Sequence, residues 1–206
     1  MFNLSPILRN IYNSLIWRLV GLYVYCLPAS HKMKTDDRRI LEKFIFRDLC
    51  FNDSVHDILF VGCSKVTSWY PAIFIFFFRK NFVTIDPDIN TARYGSKKEH
   101  YTSEYEGAIK NNNLKERFDI IIINGVFRYG INTKGDQIKA INVSRLLLKK
   151  GGLLIIGFRD NKDKQDLNLS IIDSKVFSKN NIAGLGTSYF LSKSINRHAF
   201  VSYIKK

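Results

Sequence analysis

The apolar positions of this chain change rhythm near residue 35. Before it, Ile7, Leu8, Ile11, Tyr12, Leu15, Ile16, Leu19 and Leu22 recur at the three- and four-residue spacing of an amphipathic helix. After it, one more helical pattern, at about 36–50 with Ile40, Leu41, Phe44, Ile45 and Leu49 on its apolar side, gives way to short continuous apolar runs. These are "DILFVG" at 57–62, "NFVTID" at 81–86, a weaker "EHYT" at 99–102, "FDIIIING" at 118–125 and "GGLLIIGF" at 151–158. A strand with one wet face alternates apolar and polar residues; these do not, so they predict strands covered on both faces. Between them, 66–80 has a proline near its first turn and 136–150 runs into a double glycine, which predicts helices. Strand and helix in alternation give right-handed crossovers. The expected fold class is therefore α/β, a Rossmann-like, doubly wound, mostly parallel sheet. "SYFLSK" at 188–193 and "RHAFVSYIKK" at 197–206 lie too close together for a crossover, which predicts a C-terminal antiparallel hairpin.

With 206 residues, 46% of them hydrophobic, the chain can bury one full core. The expected organisation is an N-terminal helical appendage at 1–35 and one domain at 36–206. Residues 1–35 contain no Asp or Glu, and the helix carries Arg9 and Arg18. The uninterrupted apolar run 19–27 falls well short of the ~20 residues that span a bilayer. The helix is expected either to lie in a membrane interface or to pack on the domain. The net charge of +14 favours anionic neighbours: phospholipid headgroups, phosphorylated sugars or nucleic acid. Cys26, Cys50 and Cys63 form neither a disulfide framework nor a zinc spacing, and His31, His56, His100 and His198 suggest no metal or triad. A reducing, cytoplasmic setting follows, with the inner face of a membrane as an alternative.

Ligands of open parallel sheets bind outside the carboxyl ends of the strands. Here those ends bring Gly62–Thr67, Asp86, Thr102–Glu104 and Asn124–Tyr129. Asp86 lies 24 residues beyond Gly62, close to where an acidic side chain meets a ribose diol; the alternative is a ligand-free turn in "IDPDIN". A dinucleotide loop of G-x-G-x-x-G type would have glycine where this chain has Ser64 and Thr67. Side chains there crowd a pyrophosphate, which argues against NAD and FAD. A nucleoside cofactor without phosphates, S-adenosylmethionine, fits better. The Asn-Gly pair at 124–125 is either the end of a buried strand or a hairpin turn. In the first reading Phe127, Arg128 and Tyr129 wall a substrate pocket, with core packing as the alternative for Phe127.

"LFVGCSKVT", "VTIDPD", "FDIIIINGVF" and "LLLKKGGLLIIGF", in that order, resemble the first, second, fourth and fifth strand motifs of the class I S-adenosylmethionine-dependent methyltransferases. The resemblance covers roughly 36–206, and "TIDPD" with "NGVFRYGIN" looks like a little-characterised bacterial group within that superfamily. It implies a cofactor site at Gly62, Cys63, Ser64, Thr67, Asp86, Ser103, Glu104 and Asn124, with Gly62 and Ser64 beside the methionine part, Asp86 on the ribose and 102–104 near the adenine. Asn124 and His100 are the candidates nearest the chemistry. Methyl transfer from a sulfonium needs positioning more than a strong base. The expected function is methyl transfer to a glycan, a lipid precursor or a small metabolite. The alternatives are a cofactor-free, membrane-peripheral scaffold and an RNA-binding protein or RNA methyltransferase.

Overall fold

The computed structural model describes residues 6–28, 30, 35–127, 129–161, 164–193 and 197–206. Its strands are β1 (Asp57–Val61), β2 (Asn81–Asp86), β3 (His100–Thr102), β4 (Phe118–Asn124), β5 (Leu148–Asn161), β6 (Lys164–Gln165), β7 (Phe177–Lys179), β8 (Tyr189–Leu191) and β9 (His198–Lys205). They form one sheet in the order β3-β2-β1-β4-β5-β9-β7, with β6 on β5 and β8 on β9. The first five strands are parallel, and β9 runs antiparallel to β5, β7 and β8. The α/β fold class is as expected, and so is the hairpin of β8 and β9. The insertion of β9 between β5 and β7 is additional. β4 has parallel neighbours on both sides, so the Asn-Gly pair at its end is no hairpin.

The continuous apolar runs have the predicted cause. Successive residues of β1 go to opposite faces: Leu59 and Val61 enter one buried cluster, Ile58 and Phe60 the other. In β4, Ile121 and Ile123 face the first cluster while Ile120 and Ile122 face the second.

Helices cover these faces. α1 spans Pro6–Cys26. α2 starts at Asp36–Ile40, passes through a π-helical stretch at Leu41–Phe46 and ends at Arg47–Phe51. α3, Tyr70–Ala72, runs into a π-helical turn at Ile73–Phe77. α4, Lys134–Leu147, begins on a capping box in which Thr133 Oγ1 accepts from the Asp136 N–H and Asp136 accepts from the Thr133 N–H.

Two helical expectations are corrected. The stretch 66–80 is not one helix, because a 3-10 turn at Lys65–Thr67 precedes α3. The pattern at 136–150 stops at Leu147. Leu148 already pairs with Phe118, and Lys149 donates to Asp119 at 2.7 Å, which draws the two lysines into β5. α1 packs on the domain, but not through the stripe read from the sequence. Trp17 meets Phe51 and Phe78, Tyr23 meets Phe77 and Val20 is buried, while Leu8, Ile11, Leu15, Leu19 and Leu22 face outward.

Candidate active site

The carboxyl ends of β1, β2 and β4 open onto one crevice of about 470 Å³. Gly62 ends β1 with φ +90°, and a Cβ there would stand 2.9 Å from Val126 Cγ2, so only glycine fits without a shift. Its N–H donates to Ile85 O at 2.9 Å, which ties the turn to β2. The next positions need no glycine. Ser64 is extended (φ −156°, ψ 166°), and its N–H donates to Thr67 Oγ1 at 2.9 Å while the Thr67 hydroxyl donates to Ser64 O at 3.0 Å. Serine and threonine thus close a turn that a dinucleotide loop would shape with glycines.

Asp86 closes the same turn from β2. Its Oδ2 accepts the Cys63 N–H at 2.7 Å, and its Oδ1 accepts from Asp88 N at 2.9 Å and Thr91 Oγ1 at 2.7 Å. A carboxylate has about four acceptor sites, so capacity remains for a ligand hydroxyl. Burial and then the Asp86 charge push the Cys63 thiol up to about 12, which makes it a neutral wall and not a nucleophile.

At the end of β4, Asn124 is buried, with Oδ1 2.9 Å from His198 Nε2 on β9. Burial holds His198 down at about 4, so near neutral pH its imidazole is uncharged and Nε2–H donates to the amide oxygen. This fixes the asparagine and leaves its amide N–H groups out of that bond.

All eight expected cofactor residues line this crevice: Gly62, Cys63, Ser64, Thr67, Asp86, Ser103, Glu104 and Asn124. Tyr129, expected on the substrate side, lines it too and is largely exposed. Two other candidates do not join them. His100 does not line the crevice; its Nδ1 lies 2.9 Å from Thr84 Oγ1 across the β2–β3 pair, and burial lowers its pKa. Phe127 is core, buried and bridged to Ile131. Arg128 lies outside the described residues.

Residues missed in the sequence include Tyr105, which lines the crevice and meets Ser144 of α4 at 2.9 Å, and Arg38 of α2. Arg38 donates to Tyr70 Oη at 3.0 Å, which donates to Glu42 at 2.7 Å, and the Arg38 Nε is buried without a hydrogen-bond partner among the described residues. Burial raises Glu42 to about 7 against the hydrogen bond from Tyr70. No local pattern places α2 beside the strand ends, so Arg38 carried no sequence signal.

Glu42 and His198 titrate with opposite effect. The folded pKa of Glu42 exceeds its ordinary 4.5, so its contribution is fully present below 4.5 and is lost as pH rises through 7. His198 is depressed from 6.5 to about 4, so its contribution is present above 6.5 and lost as pH falls. Between 4.5 and 6.5 the two slopes oppose each other. Glu42→Gln is expected to stabilise the protein at pH 8 by about 1–3 kcal/mol and to unmask the loss of stability on acidification due to His198. Urea denaturation from pH 4.5 to 8 checks this; a parallel offset at every pH would show that Glu42 does not titrate in this range.

No family model matches the sequence, and no curated protein matches it. Solved structures do. The N-methyltransferase NodS from Bradyrhizobium japonicum superposes with a TM-score of 0.62 at 13% identity, over 84% of this chain and 98% of that one. NodS has also been solved in complex with S-adenosyl-L-homocysteine, and that structure superposes at 0.59 with 12% identity over 84% of this chain and 93% of the other. A TehB-like SAM-dependent methyltransferase from Corynebacterium glutamicum gives 0.55 at 13% identity, over 98% of this chain and all of the other (100%). The chain has the class I methyltransferase fold. As in open parallel sheets generally, the crevice opens at the carboxyl ends of the strands, where the strand order switches between β1 and β4.

Proposed function

We propose that the protein binds S-adenosylmethionine in the crevice and transfers its methyl group to an acceptor. The convergence of all eight sequence-derived cofactor residues on one cavity, of a size that suits a nucleoside ligand, carries this reading. Asp86 takes a ribose hydroxyl, Ser103 and Glu104 stand at the adenine side, and the Gly62–Thr67 turn holds the methionine part. The partnerless Arg38 Nε on the crevice wall tests the fit independently: a buried guanidinium N–H calls for an anionic acceptor, and the methionine carboxylate is one. When bound, the cofactor supplies an activated methyl on a positively charged sulfur. The chain's own residues then position and desolvate. Asn124, fixed by His198, presents its amide to the reacting end, and Tyr129 borders the acceptor side. The acceptor is a glycan, a lipid precursor or a small metabolite. The basic charge also supports a second reading, an RNA acceptor, for which binding to a generic RNA must fall steeply with salt.

Calorimetry with S-adenosylmethionine and S-adenosylhomocysteine tests the reading. Saturable one-to-one binding is expected. No heat at millimolar ligand would discard it in favour of a cofactor-free domain.

A further inference from the structure

α1 is apolar on two opposite sides. Its inner side, Trp17, Val20, Tyr23 and Val24, packs into the cluster behind the sheet. On the other side Leu8, Ile11, Tyr12, Leu15, Leu19 and Leu22 are each more than half exposed. At ~100° per residue these six fall within an arc of about 100°, and Tyr25, 79% exposed, extends it by about 40°. The same count places Arg18, which is exposed, at one border of the stripe and Arg9, which pairs with Asp53, beyond the other. Phe76, 79% exposed, sits on the π-helical turn against which α1 packs. Nothing in the fold covers this stripe among the described residues.

We infer that this stripe is the docking face for an anionic lipid bilayer, with α1 lying flat in the interface and its inner side still holding the domain. Charge complementarity selects this occupant. Residues 1–35 hold no carboxylate, the stripe is flanked by arginines, and the chain carries a net +14. A second copy docked on the same face would bring the exposed Arg18 of two acid-free helices together with no carboxylate in either helix to oppose it, Arg9 being already paired with Asp53. The helix does not cross the membrane: among the described residues none is long and apolar enough. Leucines bury in the headgroup–acyl boundary while long arginine stems reach back to phosphates. The inference does not depend on cofactor binding.

Cys26 supplies the probe, since it is exposed in the last turn of α1 while Cys50 and Cys63 are buried. The thiol is labelled with a polarity-sensitive fluorophore and titrated with vesicles of equal parts phosphatidylcholine and phosphatidylglycerol, and with phosphatidylcholine alone. A blue shift on the anionic vesicles, weak on the neutral ones and reduced by salt, is expected. The double variant Leu15→Gln, Leu19→Gln should lower the partition coefficient by about tenfold or more and leave the melting temperature unchanged, because both side chains are already exposed. Three results would overturn the inference: no shift with either vesicle, an unchanged partition coefficient in the double variant, or a vesicle-free shift that grows with protein concentration as a dimer forms.

Discussion

Asp86→Ala is expected to weaken S-adenosylhomocysteine binding by roughly tenfold to a hundredfold. In the proposed pose one ribose hydroxyl loses its charged acceptor, a bond worth about 1.5–3 kcal/mol before water compensates. The carboxylate also holds the first turn, through the Cys63 N–H, and the start of the next loop, through the Asp88 N–H and Thr91 hydroxyl. The variant should therefore lose stability as well, by about 1–3 kcal/mol, because a part-buried N–H is left without its partner. Calorimetry and urea denaturation on the same sample separate the two losses. A fall in stability with no change in affinity would make Asp86 a staple of the turn alone and move the ribose elsewhere.

Gly157→Ala is expected to be among the most destabilising single changes, at about 2–5 kcal/mol. Gly157 lies in β5 directly across from Asn124 and between two paired strands, so its backbone cannot retreat. A Cβ built there collides with Asn124 Oδ1 and comes within 2.8 Å of His198 Nε2. Either the buried Asn124–His198 bond breaks or the strands move, and overpacking and a lost buried hydrogen bond each cost about 1–3 kcal/mol. Cofactor affinity should fall too, since Asn124 lines the crevice. In an Asn124→Ala background the same change should cost much less, because the main obstacle is gone. Equal costs in both backgrounds would show that the asparagine is not what confines residue 157.

The parallel half of the sheet was legible because burial on both faces imposes unbroken apolar runs, and β1, β2 and β4 have little else in them. The crevice residues were legible for a related reason. In this topology the first residues after parallel strands meet at one edge, so Gly62, Asp86 and Asn124 could be placed from strand ends alone. What depends on contacts distant in sequence was not legible. The partner of Asn124 is His198 on β9, and the buried run of β9 says nothing of its neighbours. Arg38 reaches the crevice from a helix that precedes every strand. Phe127 was ambiguous between wall and core because an aromatic after a glycine turn suits both, and its burial in the core cluster decides for core. Lys149 and Lys150 look like a helix end. The carboxylate of Asp119 on the neighbouring strand claims Lys149 and begins β5 early.

The place of β9 bears on how this sheet is assembled. The parallel strands can add in turn as their crossovers form, but β5 receives its outer, antiparallel partner only after β6, β7 and β8 have been passed over. Until β9 docks, β5 offers Leu154, Ile155 and Ile156 along an open hydrogen-bonding edge, and β7 and β8 have no strand to pair with. Such an edge is a template for other chains as much as for its own. Damage to β9 is thus felt first as competition between self-association and closure, and the yield of native protein then depends on how crowded the refolding chains are.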